Sequence, residues 1–221
     1  MHYLKQTKND PDLKSLHLTK EWNNIITRIK ANRDLYEKDF DKTLKCKLER
    51  IYIKDQTLRQ LYSEAMEKFK AYPEMMDYFW DLMNTSDSLN LSEIIKILND
   101  KGWVGKSLVG EQGNMTIFLV IQHAPLDIQE KYLPLMEESV KKGESNGSNL
   151  ALLVDRIKIR HNEPQIYGSQ ISYDSETDKY YVDKIVEPEY VNQRRFKIGL
   201  GPIQDYVKKW DIKWTIKQKS K

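Results

Sequence analysis

Apolar residues recur at helical spacing through the first third of the chain. Trp22 and Ile26 start a pattern in which charged residues fill the positions between, and the same spacing continues over 44–69. The polar residues 1–17 precede this pattern, and we expect them to form a flexible arm. The spacing predicts a set of long amphipathic helices, beginning with an extra N-terminal helix at 18–43.

A second group of helical patterns covers the middle of the chain. Pro73 is predicted to open a helix, because proline is tolerated in a first helical turn. The polar stretch 84–87 is predicted to break the chain there, and the next helix is expected to end at Gly102, a residue suited to a C-terminal stop. Further helices are predicted at 126–142 and 150–159.

Residues 115–123 fit two structures. Their β-branched side chains favour a strand, whereas a buried helix accommodates the same apolar run. The segments on both sides have helical patterns, so we predict a helix.

The period changes to two in the last third of the chain. Residues 165–173 and 179–186 alternate on either side of a polar turn, which predicts an antiparallel β-hairpin at about 165–186. The basic tail, 211–221, is expected to fray. The predicted fold class is mainly α: a multi-helix single domain over 18–210 with one antiparallel β-hairpin.

Composition narrows the classes of function. With 39% hydrophobic and 31% charged residues among 221, the chain is apolar enough to bury a core. A net charge of +3 is too weak an excess to favour nucleic acid as a partner. The chain has no apolar run of membrane-spanning length and no signal-peptide core at its start, so we expect a soluble cytoplasmic protein with no membrane partner. A chain from which a leader had been trimmed would look the same.

Metal and cofactor chemistry finds no support in the residue pattern. Cys46 is the single cysteine and the 4 histidines are widely scattered, so we predict no metal site and no cofactor. Phosphate-loop, dinucleotide-binding and nucleophile-elbow motifs are missing, which argues weakly against the enzyme classes that use them.

The most informative stretch is the one around Gln122 and His123. An apolar run leads into these two polar residues, and Pro125 then forces a turn. Polar side chains at the end of a buried element are typical of a cleft. His123 is therefore our candidate general acid or base, because histidine titrates near neutral pH. A structural hydrogen-bonding role for His123 is the alternative, and we weigh the two evenly.

Two further places carry charges on helices. Asp155 and Arg156 interrupt an apolar segment, and since a buried charge needs a partner, we expect each of them to pair with another group. A structural role and a ligand-binding role are both open for this pair. Asp55 and Arg59 are four residues apart, and we favour an exposed ion pair on one helix face.

The predicted hairpin and the helix after it contribute the remaining candidates for ligand binding. They are Gln165, Tyr167, Gln170, Asn192, Arg194 and Arg195. If the alternation holds, Gln165 and Tyr167 share one face of a strand, although Gly168 would suit a bulge that re-aims Gln170. The arginine forks suit a carboxylate or a phosphate, and a solvated helix face is the alternative.

The order and spacing of these motifs resemble a bacterial family catalogued as domain of unknown function 6624. The resemblance covers about 44–206, so the extra helix at 18–43 lies outside it. It rests on Asp55-Gln56-x-x-Arg59, Ile94-Ile95, Gly102-Trp103, Val109-Gly110, Gln122-His123-Ala124, Asp155-Arg156, Gln165-x-Tyr167-Gly168-x-Gln170 and Asn192-x-Arg194-Arg195-x-x-Ile198-Gly199-Leu200. Val104 stands where many relatives have proline, a change that falls in a turn. The resemblance implies a shared polar pocket and says nothing about chemistry.

Two functions are compatible with the sequence. The first is a small enzyme or binding protein for an anionic small molecule, with Arg156, Arg194 or Arg195 holding a carboxylate or phosphate. The second is a protein-interaction module without catalytic activity, in which the N-terminal amphipathic helices contact a partner or a second copy of the chain.

Overall fold

A computed structural model of the protein describes residues 2–69 and 76–219. Helices account for 71% of these residues, and the hairpin supplies a two-stranded antiparallel sheet. The prediction of a mainly α fold with a β-hairpin is therefore confirmed. Contacts divide the chain into two compact units, Met1–Asp41 and Lys42–Lys221. Of the helices that the structure describes, none is both long and apolar enough to cross a membrane.

The first unit contains two α-helices, α1 (His2–Asn9) and α2 (Lys20–Tyr36), with a 3-10 helix at Pro11–Leu16 between them. Thr19 caps α2, because its side-chain oxygen accepts a hydrogen bond from the backbone N–H of Trp22 at 3.1 Å. The predicted arm is thus helical over 2–9 and 11–16, and its flexibility stays a prediction. The structure groups residues 18–41 with this arm and not with the main domain.

The second unit is built around one buried helix. Its helices are α3 (Lys42–Phe69), α4 (Asp77–Lys101), α5 (Lys106–His123), α6 (Leu126–Lys141) and α7 (Gly147–Arg160). Helix α5 packs against α3, α4, α6 and α7, and its residues Ile117 and Ile121 are fully buried. A helix that is apolar on every side is stable only inside a bundle, which explains why residues 115–123 are helical despite their β-branched content.

Helix α4 runs without interruption through residues 84–87, so the predicted break is wrong. The buried residues Met83, Asn90 and Ile94 keep a single helical phase across the polar stretch. Ser88 Oγ donates to the carbonyl oxygen of Asn84 at 2.9 Å, so this polar group is satisfied within the helix. Packing of the apolar stripe outweighs the local turn preference. The predicted helix start at Pro73 lies outside the described residues, while the predicted end at Gly102 is confirmed, with φ at 69°.

The hairpin is shorter than the sequence predicts. Strands β1 (Ile171–Asp174) and β2 (Lys179–Val182) pair antiparallel, with Ile171 opposite Val182. Residues 166–170 form a loop instead of continuing β1, and Gly168 within it has a φ of 63°. This conformation favours glycine. The predicted strand is therefore wrong over 166–170, while Gln165 still forms a β-bridge with Ile185.

The C-terminal residues pack on the hairpin. The C-terminal elements are a 3-10 helix (Pro188–Tyr190), α8 (Val191–Lys197), α9 (Ile203–Val207) and another 3-10 helix (Lys208–Trp210). A segment without regular secondary structure follows them. Ile212 and Trp214 in that segment pack against a small core that includes Val191 and Val207. The backbone N–H of Lys219 donates to Glu189 O at 2.8 Å. These contacts involve Ile212, Trp214 and Lys219, and the fraying expected of the tail stays a prediction.

Candidate functional site

His123 is the last residue of α5. The backbone leaves the helix at Ala124, whose ψ of 165° is extended as expected before a proline. The side chain of His123 keeps 19% of its surface exposed, although most of α5 is buried. Helix α5 therefore places the imidazole of His123 at the edge of the core.

The buried carboxylate of Asp55, on α3, contacts the imidazole of His123. Its Oδ1 lies 3.2 Å from His123 Nδ1, and its Oδ2 accepts a hydrogen bond of 2.6 Å from Gln56 Nε2. The Asp55 side chain is only 2% exposed. The prediction of an exposed Asp55–Arg59 pair is therefore wrong. The sequence contained the correct signal, since Asp55 continues the buried stripe of Leu44, Leu48 and Ile51 at helical spacing.

The charge state of Asp55 follows from its partners. Burial acts to raise its pKa, but the hydrogen bond from His123 acts against burial, as does the charge of the imidazole whenever it is protonated. The Gln56 hydrogen bond and the charge of Arg59 lower the pKa further. The result is a pKa below the ordinary value for aspartate. Asp55 is thus a carboxylate at neutral pH and can only accept hydrogen bonds.

Arg59 joins three helices at this point. Its Nε lies 3.3 Å from His123 Nε2, while a terminal nitrogen lies 2.9 Å from Asp87 Oδ2 on α4 and 3.5 Å from Asp55 Oδ1. The side chains of Arg59 and Asp87 are 25% and 29% exposed. The sequence did not indicate Asp87 as a site residue, because residues 84–87 resemble a break between helices. The uninterrupted helix α4 brings its carboxylate to Arg59.

These contacts determine which nitrogen of His123 carries the proton. A guanidinium has no acceptor atom, so Nε2 must accept the hydrogen bond from Arg59 Nε. The Asp55 carboxylate has no proton to donate, so Nδ1–H must donate to it. His123 is therefore neutral in this arrangement, with the Nε2 lone pair directed at Arg59.

A pocket of about 500 Å³ lies beside the imidazole. It is lined by Asn84, Asp87, Ser88, Leu91, Val120, His123, Ala124, Pro125 and Arg160. The wall thus combines apolar surface with a few polar groups, as small-molecule sites do.

Two further arginines approach the same end of α5. Arg156 donates to the carbonyl oxygen of Gln122 at 3.2 Å, and Arg160 donates to that of Ala124 at 3.1 Å. Cations are favourable at a helix C-terminus, where the carbonyl oxygens lack helical partners. Burial lowers the pKa of Arg156, and the like charges of Arg160 and Arg59 lower it further.

Gln122 and Gln129 complete the end of the helix. Gln129 is fully buried, and its Nε2 donates to the backbone oxygens of Gln122 and Ala124 at 2.7 and 3.1 Å. The side-chain oxygens of both glutamines are buried and accept no hydrogen bond from the residues that the structure describes. Orphaned acceptors of this kind call for a donor from water or from a ligand.

Asp155 lies on α7 beside Arg156 but serves another purpose. Its fully buried carboxylate accepts hydrogen bonds from the backbone N–H groups of Ile166, Tyr167 and Ser169, the shortest at 2.7 Å. The partner of this buried charge is therefore a ring of amide dipoles. This contact explains why residues 166–169 curl into a loop instead of extending β1.

The other predicted site residues stabilise the same loop. Gln165 bonds the backbone of Gln170 through both of its side-chain polar atoms, at 3.1 and 2.8 Å. Gln170 Nε2 donates to Leu152 O at 3.1 Å. Their amides thus tie the loop to itself and to α7.

The polar side chains of α8 are also engaged by backbone groups. Arg195, only 2% exposed, donates to the carbonyl oxygens of Tyr167 and Gly201 at 2.8 and 2.7 Å. Arg194 donates to Ile166 O at 2.7 Å and also to Val186 O. Asn192 Oδ1 accepts from the backbone N–H of Ile203 at 2.8 Å.

The predicted site residues therefore fall into two groups. Gln122, His123 and Arg156 lie together at the end of α5. The second group surrounds the Asp155 loop and consists of Asp155, Gln165, Tyr167, Gln170, Asn192, Arg194 and Arg195. Among the described residues, no hydrogen bond joins the second group to the first, so the structure does not bring the two into one cluster. Within the same residues, His, Cys, Asp and Glu side chains form no group of three that could hold a metal ion.

Comparison with known proteins adds one match. The model of a family described as a family of unknown function (DUF6624) matches residues 42–219. Neither the curated proteins nor the solved structures include a match to the chain.

Proposed function

The chain belongs to the DUF6624 family of unknown function, and we propose that it is a small enzyme or binding protein for an anionic molecule bearing a carboxylate or phosphate. The ligand would occupy the pocket at the end of α5, with His123 as general acid or base. The observation that carries this proposal is the Asp55–His123 pair, a 2% exposed carboxylate holding a 19% exposed imidazole at a pocket wall.

The Asp55–His123 arrangement suits proton transfer. A buried carboxylate on Nδ1 fixes the tautomer and ring orientation of an imidazole and stabilises the imidazolium that forms when Nε2 takes a proton. Asp55 would thus act as a positioning residue for His123.

The charges around the pocket favour an anion. At the end of α5, Arg59, Arg156 and Arg160 supply three cations against the two carboxylates of Asp55 and Asp87, and His123 is neutral. Of these groups, Arg160, Asp87 and His123 line the pocket itself. Arg156 uses one of its five N–H groups on Gln122 O, and the others find no acceptor among the residues that the structure describes. An anionic group would balance the excess charge and fill these donors.

We assign the Asp155 loop and α8 a supporting role, in place of the ligand contacts first expected of them. The guanidinium groups of Arg194 and Arg195 each donate at least two hydrogen bonds to backbone carbonyls, whereas Arg156 and Arg160 each donate one within the described residues. Arg156 and Arg160 therefore keep more donors for an anion. Gln122 remains a ligand-contact candidate because its side-chain oxygen has no donor in the described structure.

A thermal-shift screen against phosphate, sugar phosphates, nucleotides and carboxylates tests the proposal. A ligand at about 100 times its Kd adds about 2.7 kcal/mol to the free energy of unfolding. For a domain of this size that raises the Tm by roughly 5–11 °C. Arg160→Gln should reduce the shift, whereas Arg28→Gln, a change to an exposed arginine of α2, should leave it intact. If no anion raises the Tm, the proposal fails.

One observation favours an interaction role as a second function. Leu18, Leu35 and Tyr36 of the first unit are 99%, 71% and 64% exposed, and exposed apolar surface is a mark of protein–protein contact. Light scattering after size-exclusion chromatography tests this function. We expect an assembly that dissociates when residues 1–41 are removed, and a monomeric full-length chain would contradict it.

A further inference from the structure

Arg59 donates a hydrogen bond to Nε2 of His123, the ring nitrogen that remains for acid–base chemistry. Nδ1–H is committed to Asp55, so proton transfer to a ligand must use Nε2, which accepts from Arg59 Nε at 3.3 Å. This inference rests on the proposed function, because a purely structural histidine would have no need of a free Nε2. For His123 to act, Arg59 must first move.

Three groups contact the Arg59 guanidinium: His123, Asp87 and, at 3.5 Å, Asp55. The contact with His123 is weaker than the one with Asp87. A distance of 3.3 Å is long for an N–H donor, and the acceptor is a neutral ring. The bond from Arg59 to Asp87 is 2.9 Å and joins two full charges, which makes it the stronger. Asp87 therefore holds Arg59 in place on His123.

Asp87 is also within reach of a ligand. Its carboxylate belongs to the pocket wall, on which Arg160 and His123 also lie. An anion bound by Arg160 would lie in the same pocket as the acceptor that holds Arg59, and it would compete with Asp87 for the guanidinium. The surplus positive charge of the three arginines favours the entering anion in this competition.

We propose that Arg59 is an anion-operated latch on His123. A carboxylate or phosphate group entering the pocket draws the Arg59 guanidinium away from Asp87, and this movement frees Nε2 of His123. Arg59 acts as a positioning residue, and the ligand itself uncovers the proton acceptor. In the free protein the latch keeps Nε2 from unproductive protonation by solvent.

Nuclear magnetic resonance of the full-length, 15N-labelled protein tests the latch, with inorganic phosphate and acetate as probes. The imidazole signals of His123 are assigned by their loss in His123→Gln. Without ligand we expect the Nδ1–H tautomer and an Arg59 Nε–H signal protected from exchange. On saturation with either probe we expect the Arg59 signal to lose its protection and the Nε2 signal to move.

Asp87→Asn provides a test that needs no ligand. The substitution keeps the shape of the side chain but removes the charge that holds Arg59, so the Arg59 Nε–H should exchange faster in the free protein. It should also tighten phosphate binding by about 1.5- to 5-fold, the range that exposed ion pairs contribute. Asp205→Asn is the matched control, because it breaks another 2.9 Å ion pair, to Lys208 in the C-terminal helices. In Asp205→Asn, neither the exchange rate of the Arg59 Nε–H nor the affinity for phosphate should change.

The outcomes separate the latch from the function on which it rests. If the probes bind and shift the Arg160 signals while those of Arg59 and His123 stay unchanged, the latch is overturned and the anion site stands. If neither probe binds, both are overturned, whatever Asp87→Asn does to the Arg59 signal. Lost protection at Arg59 on binding of either probe supports the latch.

Discussion

At the residue scale, the buried carboxylate of Asp55 determines what His123 can do. A 2% exposed carboxylate survives in the core only because His123, Gln56 and Arg59 surround it with donors. Each of those partners is in turn held in place by the carboxylate. Stability and site geometry therefore depend on the same few atoms.

Asp55→Asn should change how stability depends on pH. The pKa of Asp55 is depressed in the folded state, so the carboxyl stabilises the fold above its unfolded pKa of about 3.9 and loses that contribution as the pH falls through the folded value. We expect Asp55→Asn to lower the free energy of unfolding by about 1–3 kcal/mol at pH 7, the cost of losing hydrogen bonds to a buried charge. Urea denaturation between pH 7 and pH 3 measures both effects.

The variant should also lose less stability than the wild type on acidification, because the titrating group is gone. Glu93→Gln, at an exposed carboxyl that pairs with Lys47, is the control and should have a much smaller effect at neutral pH. Equal acid sensitivity of wild type and Asp55→Asn would show that Asp55 is not held as a carboxylate by its neighbours.

Asp155 and Arg156 are adjacent in sequence but should contribute different amounts to the free energy of unfolding. Asp155→Ala leaves three backbone N–H groups without their acceptor, at about 1–3 kcal/mol each, so we expect a loss above about 3 kcal/mol or a failure to fold. Arg156→Ala removes a desolvated cation that repels Arg160 and Arg59, along with one hydrogen bond to a carbonyl, so we expect a change of about 1 kcal/mol or less. Chemical denaturation compares the two, and a larger loss for Arg156→Ala would refute this division of roles.

At the scale of elements, the helical spacing of apolar residues predicted the helices better than the local turn-forming residues did. Helix α4 continues through 84–87 because Met83 and Asn90 remain in phase on its buried face. The same rule, applied to polar residues, places Asp55 on the buried stripe of α3. A carboxylate in phase with an apolar stripe is therefore a sign of a functional or strained position.

The loop around Asp155 could not be predicted from alternation. The residues 165–170 have a strand-like pattern, but a buried carboxylate on α7 gathers their N–H groups and bends the chain. That contact joins segments that are 11–14 residues apart, and periodicity carries no information about it. The sequence predicted one site that joins Gln122, His123 and Arg156 with the α8 arginines, and the separation of those arginines in the structure depends on this loop.

Gly168 should be essential to the loop. With φ at 63°, a side chain is strained, and a Cβ would lie 2.6 and 2.7 Å from the Cδ1 atoms of Ile185 and Ile203. We expect Gly168→Ala to lower the free energy of unfolding by roughly 2–4 kcal/mol, the sum of backbone strain and overpacking.

Gly199→Ala separates these two effects. Gly199 has a φ of 78° but its added Cβ would meet nothing within 4 Å, so only the backbone strain of about 1 kcal/mol should appear. Denaturant titration of both variants is the measurement. A Gly168→Ala variant no less stable than Gly199→Ala would contradict the close packing around the loop.

At the scale of the whole molecule, the central helix α5 explains where the site lies. It packs against four other helices, and it ends at a proline turn where Arg156, Arg160 and Gln129 converge on the last carbonyl oxygens. Arg156 and Arg160 donate to the carbonyl oxygens at the C-terminal end of α5, and His123 lies beside them. The net charge of the whole chain is only +3, yet three arginines and two aspartates meet at this end of α5.

The most direct test of the account is the proton balance of ligand binding. Isothermal titration with the strongest anion from the thermal-shift screen, repeated at neutral pH in buffers of different ionisation enthalpy, measures the protons exchanged on binding. We expect wild type to take up a fraction of one proton, because an anion beside a freed Nε2 favours the imidazolium that Asp55 also stabilises. His123→Gln should bind without this uptake. Equal proton uptake in wild type and His123→Gln would contradict a role for His123 as the acid–base group of an anion site.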